Sequence, residues 1–190
     1  MDQFIVSSSP HINSEESVAQ IMRDVVIALI PAGIASIYFF GSRAALIITV
    51  AVISAILTEW LMQKLYKKPV TIDDWSAVVT GILIAYNMPP TVPLWMPAIG
   101  SIIAIALIKQ AFGGLGHNFM NPALGARAIL LAAWPIHMTT WVTPGIDAIS
   151  TATPLEVLKI GSVRSELPSL WDAFIGNIGG CIGETSSLAL

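Results

Sequence analysis

Charge is the scarcest property of this chain. Asp, Glu, Lys and Arg make up 11% of its 190 residues, against roughly 25% in average soluble domains. With 55% hydrophobic residues and a mean hydropathy of +0.75, that deficit points to lipid as the solvent. The net charge of −3 is spread along the chain, which argues against a nucleic-acid footprint. A single cysteine, Cys181, excludes an internal disulfide and any all-cysteine metal site formed by these residues alone. The N-terminal stretch lacks the basic-then-apolar pattern of a secretory signal. It is polar and mildly acidic, and reads as a short cytoplasmic segment (1–22) ahead of a transmembrane helical domain (23–190).

What the chain does have is long apolar runs. Crossing the hydrocarbon core takes about 20 apolar residues in a helix. One run extends from Val25 to Phe40 and contains Pro31, a kink that neighbouring helices can absorb in a membrane. A second extends from Ala44 to Met62 past Trp60, a natural interface anchor, and "GSR" is the linker between them. The following loop, "QKLYKKPVTIDDW", holds Lys64, Lys67 and Lys68. Three lysines beside one membrane end mark it as cytoplasmic, and two spans put the N-terminus on the same side.

Two further apolar runs are separated by "NMPPTVP", whose three prolines forbid a continuous helix; the second run returns to Lys109. A glycine-rich loop with Gly113, Gly114 and Gly116 then leads to Asn121 and Pro122, a cap and first helical residue, and to a helix ending at Trp134. On this count a loop over about 135–168 is extracytoplasmic. The last residues, "AFIGNIGGCIGETSSLAL", read as another glycine loop and an apolar helix stopped in mid-run, as in a longer protein truncated at its C-terminus. "FGGLGHNFMNPAL" and "IGGCIGETSSLAL" echo each other, an internal repeat of the kind that marks binding sites in repeat-built membrane proteins. The predicted fold is an all-α integral membrane protein, a polytopic bundle with broken helices.

Ionisable residues in such runs are expensive and are functional candidates by default. Glu59, one turn before the loop lysines, is expected to pair with one of them at the interface. Arg127 lies deeper; it either forms a structural salt bridge or holds an anionic group such as a flavin phosphate. The glycine loop at Gly113, Gly114 and Gly116 either presents backbone N–H groups to a flavin or phosphate or permits close helix packing. Glu184 either caps a helix or serves as a proton or cation site. His117 has no companion at metal-ligand spacing, so no metal site is assigned, and no residue is assigned a catalytic role.

One stretch concentrates hydroxyls: "DAISTATPL", Asp147 to Leu155, with Ser150, Thr151 and Thr153. On the residues alone it reads as a helix cap, a hydroxyl before Pro154 with Glu156 in the first turn.

"SSSPHI", "LTEWLMQKLYKKP", "SAVVTGILIAYNMPPTVP", "KQAFGGLGHNFMNPALGARA", "DAISTATPL" and "GNIGGCIGETSSLAL" together resemble, in order and over nearly the whole chain, the D subunit of the Rnf complex. The B subunit of the sodium-pumping NADH:quinone oxidoreductase is similar but more distant. The resemblance implies a subunit of an inner-membrane ferredoxin:NAD⁺ oxidoreductase that pumps Na⁺ or H⁺. Its other subunits, an extracytoplasmic flavin transferase and the bilayer are the implied partners. In that family FMN is attached covalently as a threonine phosphoester, within a pattern that falls here on Asp147, Ser150, Thr151, Ala152 and Thr153. Thr153 is then the acceptor, and Thr151 stands where the pattern usually has glycine. The family also implies a second, non-covalent flavin. A channel or transporter, with the hydroxyl run as a mere cap, is the alternative from another class.

Overall fold

The computed structural model describes residues 17–144, 159 and 169–190. Helix α1 spans Val18–Phe40, capped by Ser17, whose hydroxyl oxygen accepts the Gln20 N–H at 3.2 Å. It runs on through Pro31 and begins well before the expected Val25. Hydropathy marks only the apolar middle of such a helix, whereas a cap sets its start. Gly41 alone, at a φ of 68°, joins α1 to α2 (Ser42–Leu65). The three-residue linker is therefore corrected to one residue. Ser42 and Arg43 are helical, and Arg43 instead donates to the carbonyls of Pro90 and Val92 at 3.1 and 3.0 Å.

Helix α2 is the centre of the fold. Its buried face, Ala44, Ile47, Ala51, Ala55, Glu59 and Gln63, recurs at three- and four-residue spacing. The small side chains let other backbones approach. A Cβ on Gly81 of α3 (Ser76–Tyr86) would lie 2.7 Å from the Val52 Cα, so these two helices touch backbone to backbone.

The proline run ends α3 as expected, and helix resumes as α4 (Trp95–Ile102). Helix α4 passes without interruption into a π-helical segment, Ile103–Gln110. Asn121 caps α5 (Pro122–Ala133) through Oδ1, which accepts the N–H groups of Ala123 and Leu124. A 3₁₀ turn, Ile72–Asp74, precedes α3, and two short helices, α6 (Pro135–Thr139) and α7 (Leu170–Ile175), complete the described elements.

Contacts define two opposite ends. At one lie the lysine loop, the start of α3 and the end of the π segment, where Lys68 reaches the Gly113 carbonyl at 3.4 Å. At the other, Arg43 holds the proline run, Thr91 bonds to the Thr140 carbonyl at 3.2 Å, and Trp95 meets Trp134 edge-on at 5.2 Å. Tryptophans at both ends suit a helical body flanked by two interfaces. Helices α1 and α2 are long and apolar enough to cross a membrane.

The expected C-terminal helix is corrected. Residues 182–189 form turns, because their backbone donors are taken elsewhere: Ile182 N–H by the Met88 carbonyl at 2.9 Å, Gly183 N–H by Tyr86 at 3.0 Å, and Leu188 N–H by Phe174 at 3.2 Å. This segment folds back onto the break after α3. Tyr86 is the hub of that junction: its hydroxyl donates to the Leu29 carbonyl of α1 at 2.6 Å, while its ring fills the space a Gly183 side chain would need.

Candidate functional site

Among the described residues two polar clusters stand out, one buried and one partly exposed. The first joins α2, α3 and the π segment at the lysine-loop end. Lys109, buried, donates to both carboxylate oxygens of Glu59 at 2.7 Å and to Ser76 Oγ at 2.6 Å. Glu59 Oε1 also accepts the amides of Gln110 at 2.9 Å and Gln63 at 3.2 Å. Ser76 in turn donates its hydroxyl and backbone N–H to Asp74 Oδ1. Glu59 therefore pairs with Lys109 and with none of the loop lysines, contrary to its expected partner. Lys64 lies over the Trp60 ring instead, 4.3 Å from its centroid.

The π winding explains how Lys109 reaches this position. Neighbouring residues of an α-helix point about 100° apart. The i→i+5 turns here, with Ala111 N–H on the Ala106 carbonyl and Gly114 N–H on that of Lys109, narrow the divergence. Lys109 and Gln110 can then address one carboxylate. Apolar spacing carries no sign of such winding, and Lys109 is the Glu59 partner that sequence reasoning missed.

A cavity of about 410 Å³ opens beside this cluster. Glu59, Gln63, Thr71, Asp74, Gln110 and the buried Gly114 line it, together with the exposed Lys68 and Gly113. Gly113, Gly114 and Gly116 all take positive φ, at 120°, 103° and 85°, which an L side chain adopts only with strain. The first two face the cavity; Gly116 is not among its lining residues. His117 packs against Gly113, with its Nδ1 3.4 Å from the Leu115 carbonyl.

The second cluster surrounds Arg127 at the junction of the α3 break with the C-terminal segment. Its guanidinium donates to Asn87 Oδ1 at 2.6 Å and to Cys181 Sγ at 3.6 Å, and lies 3.6 Å from the Glu184 carboxylate. Asn87 itself donates to the Leu83 carbonyl at 2.8 Å. Arg127 thus has protein partners on both ends of its fork, and the cavity's lining residues do not include it. Asn87 did not stand out in the sequence, and Cys181 did so only as the lone cysteine, because neither position signals that a distant arginine will reach it. Asp147, Ser150, Thr151, Ala152 and Thr153, with Pro154 and Glu156, lie outside the described residues.

The model of the NQR2, RnfD, RnfE family matches residues 5–190. The D subunit of the Na⁺-translocating ferredoxin:NAD⁺ oxidoreductase complex of Acetobacterium woodii is 55% identical over 188 residues, covering 97% of this chain and 59% of that protein. Its counterpart in the proton-translocating ferredoxin:NAD⁺ oxidoreductase complex of Clostridium ljungdahlii is 44% identical over 197 residues, 98% of this chain and 60% of that one. The D subunit of an ion-translocating oxidoreductase complex of Shewanella amazonensis is 35% identical over 215 residues, 95% and 61%. The chain spans about three-fifths of the length of these curated relatives.

Proposed function

Because the chain belongs to the NQR2, RnfD, RnfE family, and is similar there to D subunits of Rnf-type complexes, we propose that it is a membrane electron-transfer subunit. On this reading it works in a multi-subunit complex that couples electron flow from ferredoxin to NAD⁺ with movement of Na⁺ or H⁺. It is a multi-pass protein of the cytoplasmic membrane, its N-terminus inside and the Thr153 loop outside. The observation that carries the reading is the family match over residues 5–190.

The placement of the lysine loop and Thr140 at opposite ends of the helical body supports the sidedness. A chain leaving Thr140 starts from the end away from Lys64, Lys67 and Lys68, where an extracytoplasmic flavin transferase has access. Thr153 is the proposed FMN acceptor, with Asp147, Ser150 and Ala152 forming the attachment motif. An aliphatic hydroxyl supplies the phosphoester oxygen, and Ala152 keeps the approach open. FMN would supply the electron-carrying chemistry, while the protein fixes its position and surroundings. A second, non-covalent flavin belongs to the same reading without residues assigned to it.

The test is in-gel fluorescence. The full-length protein is expressed with its partner subunits and a flavin transferase, denatured, and viewed under ultraviolet light. Wild type fluoresces, Thr153→Val does not, and Thr151→Gly fluoresces more strongly because the backbone beside the acceptor is freed. Fluorescence that persists in Thr153→Val overturns the assignment. Its absence from assembled wild-type protein returns the stretch to a helix cap.

A further inference from the structure

The cavity at the lysine-loop end leads to a carboxylate that already holds a cation. Glu59 is 1% exposed, and both its oxygens engage Lys109, yet it also lines the cavity with Asp74, Gln63 and Gln110. The Lys109 Nζ sits among three oxygens at 2.6–2.7 Å, two from Glu59 and one from Ser76. That shell resembles the oxygen environment a hard metal cation takes. Isolated buried charges are costly, so one carboxylate balances one cation here. A second cation can settle on Glu59 only if the ammonium gives way.

The structure contains a place for the ammonium to go. Ser76 Oγ accepts from Lys109 and donates to Asp74 Oδ1, so a lysine that releases Glu59 but keeps Ser76 has Asp74 as its next carboxylate. The π segment supplies the compliance. Its i→i+5 turns are rare, favour functional sites, and can rewind locally without unfolding the helix. The exchange balances locally: Glu59 and Asp74 are two carboxylates beside the single buried ammonium of Lys109. The entering cation adds one positive charge, so that each carboxylate then has one cation, with Lys68 near the cavity throughout.

We propose that Lys109 is a tethered competitor for a monovalent metal cation. The ion enters through the cavity and takes the Glu59 carboxylate beside the amides of Gln63 and Gln110, while Lys109 withdraws to the Ser76–Asp74 pair. This rests on the ion-translocating part of the proposed function and is independent of the flavin tether.

The experiment uses full-length protein in its assembled complex, with sodium exchanged for choline at constant ionic strength. Infrared difference spectra read the carboxylates, and thermal unfolding reads binding to the folded state. Sodium shifts carboxylate bands in wild type, and Glu59→Gln abolishes the shift. Lys109→Met lowers the half-saturating sodium concentration at least tenfold and gains unfolding temperature from sodium; the Glu59→Gln/Lys109→Met double variant does neither. Lys109→Arg keeps the charge, pairs through a fork and raises the half-saturating concentration, so the competition is readable even if Lys109→Met fails to assemble. Bands that persist in Glu59→Gln, or a half-saturation unmoved by either Lys109 variant, overturn the proposal. A complex that reduces its flavins but shows no sodium-dependent bands refutes this inference alone. One that does neither refutes the proposed function as well.

Discussion

Glu59 and Lys109, 50 residues apart in the chain, form a buried ion pair at 2.7 Å where α2 meets the π segment. Neither side chain is more than 2% exposed. The pair ties two long helical elements together beside an open cavity, and its energetics follow from its burial.

Removing one partner leaves the other charged and uncompensated. Glu59→Gln alone is expected to cost about 3–5 kcal/mol in stability, while Glu59→Gln/Lys109→Met costs much less because no buried charge remains. Thermal unfolding of the purified protein in sodium-free detergent solution gives both numbers. Additive losses in the double variant would mean that the two residues do not act as a pair.

Gly81 tests the backbone contact at the centre of the fold. Alanine normally favours a helix over glycine by about 1 kcal/mol. Here its Cβ would stand 2.7 Å from the Val52 Cα and 3.1 Å from the Ala51 carbonyl oxygen. Gly81→Ala is expected to destabilise by about 1–3 kcal/mol, since α2 and α3 must separate. A stabilised variant in the same unfolding assay would show that these helices do not pack so closely.

Cys181 reports on the Arg127 cluster. The thiol is 1% exposed and lies beneath the Arg127 guanidinium. Arg127→Ala removes a charge-assisted hydrogen bond of about 1.5–3 kcal/mol and frees the C-terminal segment, so alkylation of Cys181 is expected to quicken about tenfold or more. Arg127→Lys restores little of the protection, because one ammonium does not span the separate positions of Asn87 and Cys181. An alkylation rate equal to wild type in Arg127→Ala would dissociate Arg127 from the packing of that segment.

Sidedness has its own test. In a Cys181→Ser background, Lys67→Cys should react with a membrane-impermeant maleimide only from the cytoplasmic face, and Thr140→Cys only from the outside. Reaction of both from one face would contradict the proposed topology.

Much of the helical layout is legible in the amino-acid sequence, because its causes are local. Pro89, Pro90 and Pro93 lack the N–H a continuing helix needs, and Asn121 ahead of Pro122 is a cap wherever it occurs. Helix ends are less legible. Ser17 starts α1 among polar residues that hydropathy passes over, and Ser42 and Arg43 are helical because Arg43 finds carbonyls in a loop far along the chain. The turns at residues 182–189 have the same kind of cause: donors that a local helix would use go to Tyr86, Met88 and Phe174.

The sequence by itself determined the solvent, the apolar runs, the breaks between them and the family frame, since composition, proline and motif order act without reference to distant residues. Tertiary structure decided the partners. Whether Glu59 meets Lys64 or Lys109, and which protein groups Arg127 finds in Asn87, Cys181 and Glu184, depends on how helices wind and cross. A single extra residue in a π turn redirects a lysine, and hydrophobic spacing does not record that change.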